Sequence, residues 1–485
     1  MSGRIPSGTV VDRPIVRQWL FFAALCGSVI AYGSVYPVPQ YISSIGLVTI
    51  CSLSLSRPVS AFVRNIVHFA LFLLFILVAI SLYQIIPLHN STQIHESWSL
   101  LSEHFPGTEG TVAAAPALTL FSLPQLITPF SVFISALLLF AGDTEAARFW
   151  RWLSIFGICI ALVGIVQFEL TPDQMLFAKK IYYKDSVTGV FINRNTSATF
   201  FGIGALLWLG LILKDFHHLG VNGLVRVLFG EFAYHQKRLR RTAFHILGFM
   251  TMLTALGMTK SRGGLGATVI AIVCCIVLIS WTAHKHRWLA LLVAMPGLSV
   301  IIYIISSLAV QRAEMEGPDG QRLCTYQSVV KAIGEHVYLG SGFGNFVNVF
   351  PPYRNPECGT AFVWDRAHNV FLEGMLGFGV MFIPVIFGGI GVLLWMFIRA
   401  VRVRDQAKFA PLIGLSILIL LIIHSMLDFS LQIPGFTHFA AATLACCTSF
   451  CTISLRRSVS FRKNTSNTAP PKSLAPLQKL KHDTQ

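Results

Sequence analysis

The fold predicted is all-α and polytopic: a membrane bundle of about twelve transmembrane helices with cytoplasmic N- and C-termini. Three observations predict it. Hydrophobic residues fill 54% of the 485 positions and charged residues only 12%, against roughly 25% charged in an ordinary soluble domain. Apolar runs long enough to cross a bilayer recur from one end to the other. The segments between them divide by charge: with the N-terminus inside, the cytoplasmic loops hold 26 Lys and Arg and the opposite loops 11, which is the positive-inside bias.

The opening MSGRIPSGTVVDRPIVRQ is polar and basic and continues directly into the first span, without the pattern of a cleavable signal. Spans one to three are expected near 18–36, 41–56 and 66–86. An outer loop over 87–121 follows, with no Lys or Arg at all. Spans four and five are expected near 122–141 and 152–169, then a shorter outer loop near 170–195. Span six, near 196–213, returns the chain to a basic cytoplasmic loop near 214–242. Spans seven to nine are expected near 243–259, 264–282 and 289–309. A long periplasmic loop, 310–367, separates span nine from spans ten to twelve, near 369–398, 409–427 and 433–454. From Arg456 the composition turns rich in Ser, Thr, Pro and Lys, and residues 456–485 are expected to form a disordered basic cytoplasmic tail. Residues 1–455 thus read as one transmembrane bundle, with no soluble domain and no internal repeat.

A net charge of +16 raises nucleic acid as a partner, but the positive charge follows the loops rather than a groove interleaved with aromatics. Membrane lipids are the expected surroundings and nucleic acid is excluded. Eight of the ten cysteines fall inside apolar spans, where thiols pack as small hydrophobes. Cys324 and Cys358 alone lie in the periplasmic loop, where an oxidising compartment allows a disulfide. Closing that loop would contribute roughly 3–4 kcal/mol. No paired ligand spacing points to a metal, and no cofactor is expected.

Polar residues gather at three helix starts on the outer face. GVFINRNTSATFF puts Asn193, Arg194 and Asn195 at the start of span six. TKSRGGLGA puts Lys260 and Arg262 at the start of span eight, where Gly263 and Gly264 allow close backbone approach. WDRAHNVFLEGMLGFG puts Asp365, Arg366, His368 and Asn369 at the mouth of span ten, with Glu373 just inside. Asp365 is expected to cap that helix, with His368 near its third position, where the helix dipole disfavours imidazole protonation. Any one Arg at a helix end ordinarily snorkels to headgroups. A lone His there is ordinarily a packing or capping residue, and SRGG alone is a tight turn. Three such clusters on the face that the charge bias depletes instead describe a receptor for a diphosphate. In HSMLDFSLQIPGF, Asp428 lies between spans eleven and twelve and is expected to pair with an arginine or cap a helix. GSGFGNF, Gly340 to Phe346, looks like a dinucleotide fingerprint but follows no βαβ unit. Its glycines are expected to lay the loop against the site. Arg322, His336 and Arg354 share that loop as possible acceptor contacts, although solvated loop charges are commoner.

FINRN, SRGG, GSGFGNF with PPY, AHNVFLE and HSMLDFSLQIP, in this order over roughly 185–440, resemble the O-antigen ligase and polymerase superfamily of bacterial envelope glycosyltransferases. The resemblance implies a GT-C-like, twelve-span protein of the bacterial inner (plasma) membrane, with its active site facing the periplasm. Its donor would be an undecaprenyl-diphosphate-linked glycan and its acceptor a glycan or a lipid A core, in lipopolysaccharide or exopolysaccharide biosynthesis. By motif it implies two donor-binding arginines, Arg194 and Arg262, and an acceptor-activating histidine, His368, with no metal. Lys260 and Asn195 join the donor site, and Asn193, Arg366, Asn369, Glu373 and Asp428 are supporting candidates. Relatives often carry a Glu before a Gly-x-x-Gly; Glu373 reads as set apart from that position, which leaves its role open.

A lipid diphosphate is already a good leaving group, so the chemistry needs charge stabilisation on the departing oxygen and a base for the acceptor hydroxyl. With no carboxylate nucleophile beside the basic cluster, direct displacement with inversion is expected. The alternative from another class is a transporter or flippase for the lipid-linked glycan, which ordinarily carries ionisable groups near the midplane and repeated halves. A purely structural membrane partner is the weaker alternative. Polymerase, ligase and protein glycosylation differ only in the acceptor, for which the loops hold no readable code.

Overall fold

The computed structural model describes residues 14–89, 91–228, 232–282, 318–356, 363–403 and 409–467. Helices dominate them, and the only strands among them are the two of one short hairpin. The first four helices are α1 (Pro14–Ile30), α2 (Pro37–Ser54), α3 (Ala61–Gln84) and the short α4 (Glu96–His104). They are followed by α5 (Pro116–Leu139) and α6 (Asp143–Leu170). A hairpin of β1 (Gln174–Met175) and β2 (Ala178–Lys179) precedes α7 (Arg194–Leu228), α8 (Phe232–Met258) and α9 (Arg262–Thr282). The last six helices are α10 (Pro318–Glu335), α11 (Phe346–Val349), α12 (Val370–Phe378), α13 (Phe382–Val403), α14 (Phe409–Ser425) and α15 (Pro434–Asn467).

Local chemistry starts these helices. Pro37 and Pro116 stand in the first turns of α2 and α5, where the missing N–H is no loss. Ser60 caps α3 by accepting from the Val63 N–H. Buried hydroxyls within helices donate to the carbonyl one turn back, as Ser135 does to Ser131, Ser154 to Trp150 and Thr443 to Phe439. An apolar surrounding can therefore hold them without unpaired groups.

Seven helical stretches among the described residues are long and apolar enough to cross a membrane, and α1 and α14 carry shorter apolar runs. Eleven of the twelve expected segments coincide with helices; the ninth, 289–309, lies outside the described residues. The membrane part of α7 and that of α15 are the most deeply enclosed. Phe200 of α7 meets Phe439 of α15 with ring centroids 4.5 Å apart, and Trp208, Phe436 and Phe439 are fully buried. These two helices form the axis against which α5, α6, α8 and α14 pack.

Two expectations about boundaries need correction. Span ten is not one helix: it breaks at Gly379, where φ is +61°. A Cβ there would lie 2.5 Å from the Val337 carbonyl oxygen, so a side chain is excluded by its neighbour as well as by its torsion. The Val380 N–H donates to that carbonyl at 2.6 Å, stitching the break to the preceding loop. The helix of span twelve also runs past Arg456, as α15 continues to Asn467; residues 468–485 lie outside the described residues.

Candidate functional site

The starts of α7, α9 and α12 meet through side chains. Asn193 caps α7, its Oδ1 accepting from the Asn195 N–H at 2.7 Å. The Asn195 side chain reaches across to the neighbouring elements. Its Nδ2 donates to Asp428 Oδ2, and its Oδ1 accepts from Ser261 Oγ at 2.8 Å. Ser261 in turn caps α9 by accepting from the Gly264 N–H at 3.2 Å. Asn195 thus ties two helix starts to a carboxylate contributed from between α14 and α15.

His368 approaches the same carboxylate, with Nδ1 3.8 Å from Asp428 Oδ2. That is ion-pair range rather than a hydrogen bond, and Nδ1 is buried with no closer partner. The ring stands edge-on to Trp364 and Phe429, at 5.3 and 4.7 Å between centroids. Its backbone is left-handed, with φ +52°. Tyr326 Oη donates to the His368 carbonyl at 2.9 Å, and Asn369 fixes the next residue. Here the expected cap is corrected. Asn369, not Asp365, caps α12, accepting from the N–H groups of Phe371 and Leu372 at 3.0 and 3.1 Å. His368 therefore precedes the helix rather than occupying its third position, because an asparagine oxygen is available one residue later.

Asp428 is fully buried. Burial alone pushes its carboxyl up. The neighbouring His368 imidazole, His424 and Arg322 outweigh that and hold it below the usual carboxylate range. Arg322, from α10, lies 3.8 Å from Asp428 Oδ2. The arginine that reaches this carboxylate is therefore one from the long loop that precedes α12. The Phe429 N–H donates to Asp428 Oδ1 at 2.8 Å.

The remaining residues divide. Arg194 opens α7 with its guanidinium over the Tyr183 ring, 5.1 Å from the centroid. Arg262 opens α9 and is exposed. Lys260, left-handed at φ +54°, pairs with Asp185 at 3.2 Å; both side chains are exposed. Arg366 turns from the cluster and pairs with Glu373 at 3.3 Å, while Glu373 also accepts from the Ala367 N–H at 2.7 Å. Glu373 directly precedes Gly374 and Gly377 in a Glu-Gly-x-x-Gly run, so the departure expected there disappears. Cys324 is disulfide-bonded; Cys358 lies outside the described residues. Among the described residues, no group of three or more His, Cys, Asp or Glu is placed to hold a metal ion.

The GSGFGN loop lies against α12 from the other side. Gly340 has φ +69°, and a Cβ there would fall 2.5 Å from the Gly377 backbone. Gln84 secures the loop, donating to the carbonyls of Leu339 and Gly377 and accepting from the Phe343 N–H. A cavity of about 160 Å³ lies between this loop, Arg366, Glu373 and Gln432. A second, strongly apolar one of about 340 Å³ runs between α3, α5, α13, α14 and α15. Leu77, Val370, Phe382, Leu431 and Thr437 line both, so the smaller cavity adjoins an apolar groove whose lining includes Val370, two residues past His368.

Residues 247–383 match the protein family described as O-antigen ligase. Over that segment the chain is similar to the O-antigen ligase family. No curated protein matches the chain. The matched segment holds Lys260, Arg262, Arg366, His368, Asn369 and Glu373, and it supports the O-antigen ligase and polymerase superfamily, with a glycosyltransferase-type activity in a multi-pass membrane protein. Arg194, Asn195 and Asp428 lie outside it; Asn195 reaches Ser261, and Asp428 reaches Arg322 and His368, only through tertiary structure. Sequence reasoning missed Tyr183 and Ser261 as parts of the site. Ser261 sits inside the quoted TKSRGG stretch and could have been read as a cap, whereas nothing in sequence marks Tyr183.

Proposed function

We propose that the protein transfers a glycan from undecaprenyl diphosphate to an acceptor hydroxyl on the periplasmic face of the bacterial inner membrane. The observation that carries this reading is the convergence on Asp428. One buried carboxylate joins Asn195 at the start of α7, His368 before α12 and Arg322 of α10, while Ser261 brings the start of α9 to the same point. Two helix N-termini with an arginine as their first residue, Arg194 and Arg262, favour an anion beside this network. The apolar groove that Val370 lines, two residues past His368, suits a polyprenyl chain.

In this mechanism Asp428 is a positioning residue. It keeps the His368 Nδ1–H turned toward itself, so that Nε2 is free to accept a proton. The acceptor hydroxyl gives its proton to Nε2 as its oxygen attacks the anomeric carbon. The bond from that carbon to the diphosphate oxygen breaks with inversion, and undecaprenyl diphosphate leaves with its charge held by Arg194, Arg262 and the helix ends. Lys260 extends the positive surface toward the donor. Arg366, paired with Glu373, lines the neighbouring chamber as a contact for sugar hydroxyls.

The test is transfer in proteoliposomes from a synthetic polyprenyl-diphosphate glycan, reading release of the polyprenyl diphosphate and the anomeric configuration of the product by NMR. Wild-type protein is expected to give inverted product, and Arg194→Ala or Arg262→Ala to lose most of it. Movement of the donor across the bilayer with no product would overturn the reading. Repeat addition on the carrier lipid would mark a polymerase; transfer to a separate lipid-anchored core, a ligase.

A further inference from the structure

The hairpin between α6 and α7 and the strap after it leave three large apolar side chains bare. Phe177, at its tip, is 99% exposed, and Ile181 and Tyr182 are 75% and 65% exposed. The hairpin is nonetheless firmly built. The side-chain amide of Gln167 pairs with it like another strand, donating to the Leu176 carbonyl at 3.0 Å and accepting from the Leu176 N–H at 2.9 Å. Met175 is buried, and the Lys180 ammonium turns inward to the Ser186 carbonyl at 2.6 Å. Lys180 is thus tied inside while Phe177, Ile181 and Tyr182 point out.

Its position suggests what covers them. Gln167 lies in the last turn of α6, so the clamp sets the hairpin beside the end of that helix. At 1.5 Å per residue, a helix of this length reaches about 42 Å, beyond the ~30 Å hydrocarbon layer. Its final turn thus falls at headgroup depth. The outward face of α6 carries exposed Leu162, Val163, Val166 and Leu170, an apolar stripe that runs to the helix end beside which Gln167 holds the hairpin. Aromatic rings at the membrane–water boundary and lysines able to snorkel, here Lys179 and Lys184, suit that depth.

We propose that residues 171–184 form an interfacial anchor that seats Phe177, Ile181 and Tyr182 in the lipid leaflet on the side of the His368 site. The same strap carries Tyr183 under Arg194 and Asp185 against Lys260, so the anchor fixes one wall of the site relative to the membrane surface.

The test places a photoreactive benzophenone analogue of phenylalanine at position 177 of the full chain in native membranes, with the same analogue at lipid-facing Leu162 and at exposed Lys331 of α10 for comparison. Adducts are identified by mass spectrometry after irradiation. Phospholipid adducts at 177 approaching those at 162, and none at 331, are expected. No lipid adduct at 177 while 162 gives one, adducts only to another polypeptide, or equal adducts at 331 would overturn the anchor. None of these readouts needs transfer activity, so failure here is distinct from failure of the proposed function.

Discussion

His368 holds a left-handed backbone that a non-glycine residue adopts at a cost of order 1–3 kcal/mol. What holds it there is local: the Tyr326 hydroxyl on its carbonyl, the Asn369 cap after it and two aromatic edges around its ring. In the proposed mechanism a base held this way needs no reorganisation at the moment of reaction, and His368→Ala is expected to lower kcat by 10²–10⁴-fold with the melting temperature nearly unchanged. Asp428→Asn keeps the shape but removes the charge proposed to turn Nδ1 inward. A fall of at least about tenfold in kcat, 1.4 kcal/mol of barrier, is expected. The carboxyl's folded value is depressed, so its contribution to stability is present above the ordinary carboxylate value of about 3.9 and is lost as pH falls through the lower folded value. The melting-temperature gap between wild type and Asp428→Asn is therefore expected to close in acid, below about pH 4; a gap unchanged at pH 3 would contradict it. Tyr183→Leu removes the ring under Arg194, worth about 0.5–1 kcal/mol, and is expected to raise the donor KM about two- to fivefold with little change in kcat.

At the scale of elements, the quoted clusters lie at helix starts, and the hydropathy pattern placed those starts within a few residues. FINRN opens α7, SRGG opens α9 and AHN precedes α12 because Asn193, Ser261 and Asn369 are capping residues, and capping is local chemistry. The break in span ten was not legible. Gly379 in an apolar run reads as an ordinary membrane-helix glycine, and its reason for being there, the Val337 carbonyl, is forty-two positions away. Gly379→Ala meets both the torsion and that carbonyl and is expected to cost at least 1–3 kcal/mol, seen as a lower melting temperature. Asn369→Ala should cost about 1 kcal/mol through the lost cap and release His368 with it, whereas Asn369→Asp, which can still cap, should retain both.

Across the whole molecule, Gln84 joins the end of α3 to the glycine loop and to α12 through three hydrogen bonds at a buried position. Gln84→Leu strands those partners. Each buried unsatisfied group costs about 1–3 kcal/mol, so proteolysis within 337–345 is expected to accelerate even where the membrane helices stay intact; unchanged cleavage would show that the loop is held by packing alone.

Composition, hydropathy period and charge bias by themselves determined that this is a helical membrane protein, because apolar length and loop charge are summed along the chain and need no partner. They also located Arg194, Arg262 and His368 at helix starts, since caps are read from neighbouring residues. Only the tertiary structure decided that Asp428 is the shared partner of Asn195, His368 and Arg322, and that Arg366 faces another chamber. Contacts between positions up to 233 apart depend on how α7, α12 and α15 pack, and packing leaves no periodic trace in the sequence.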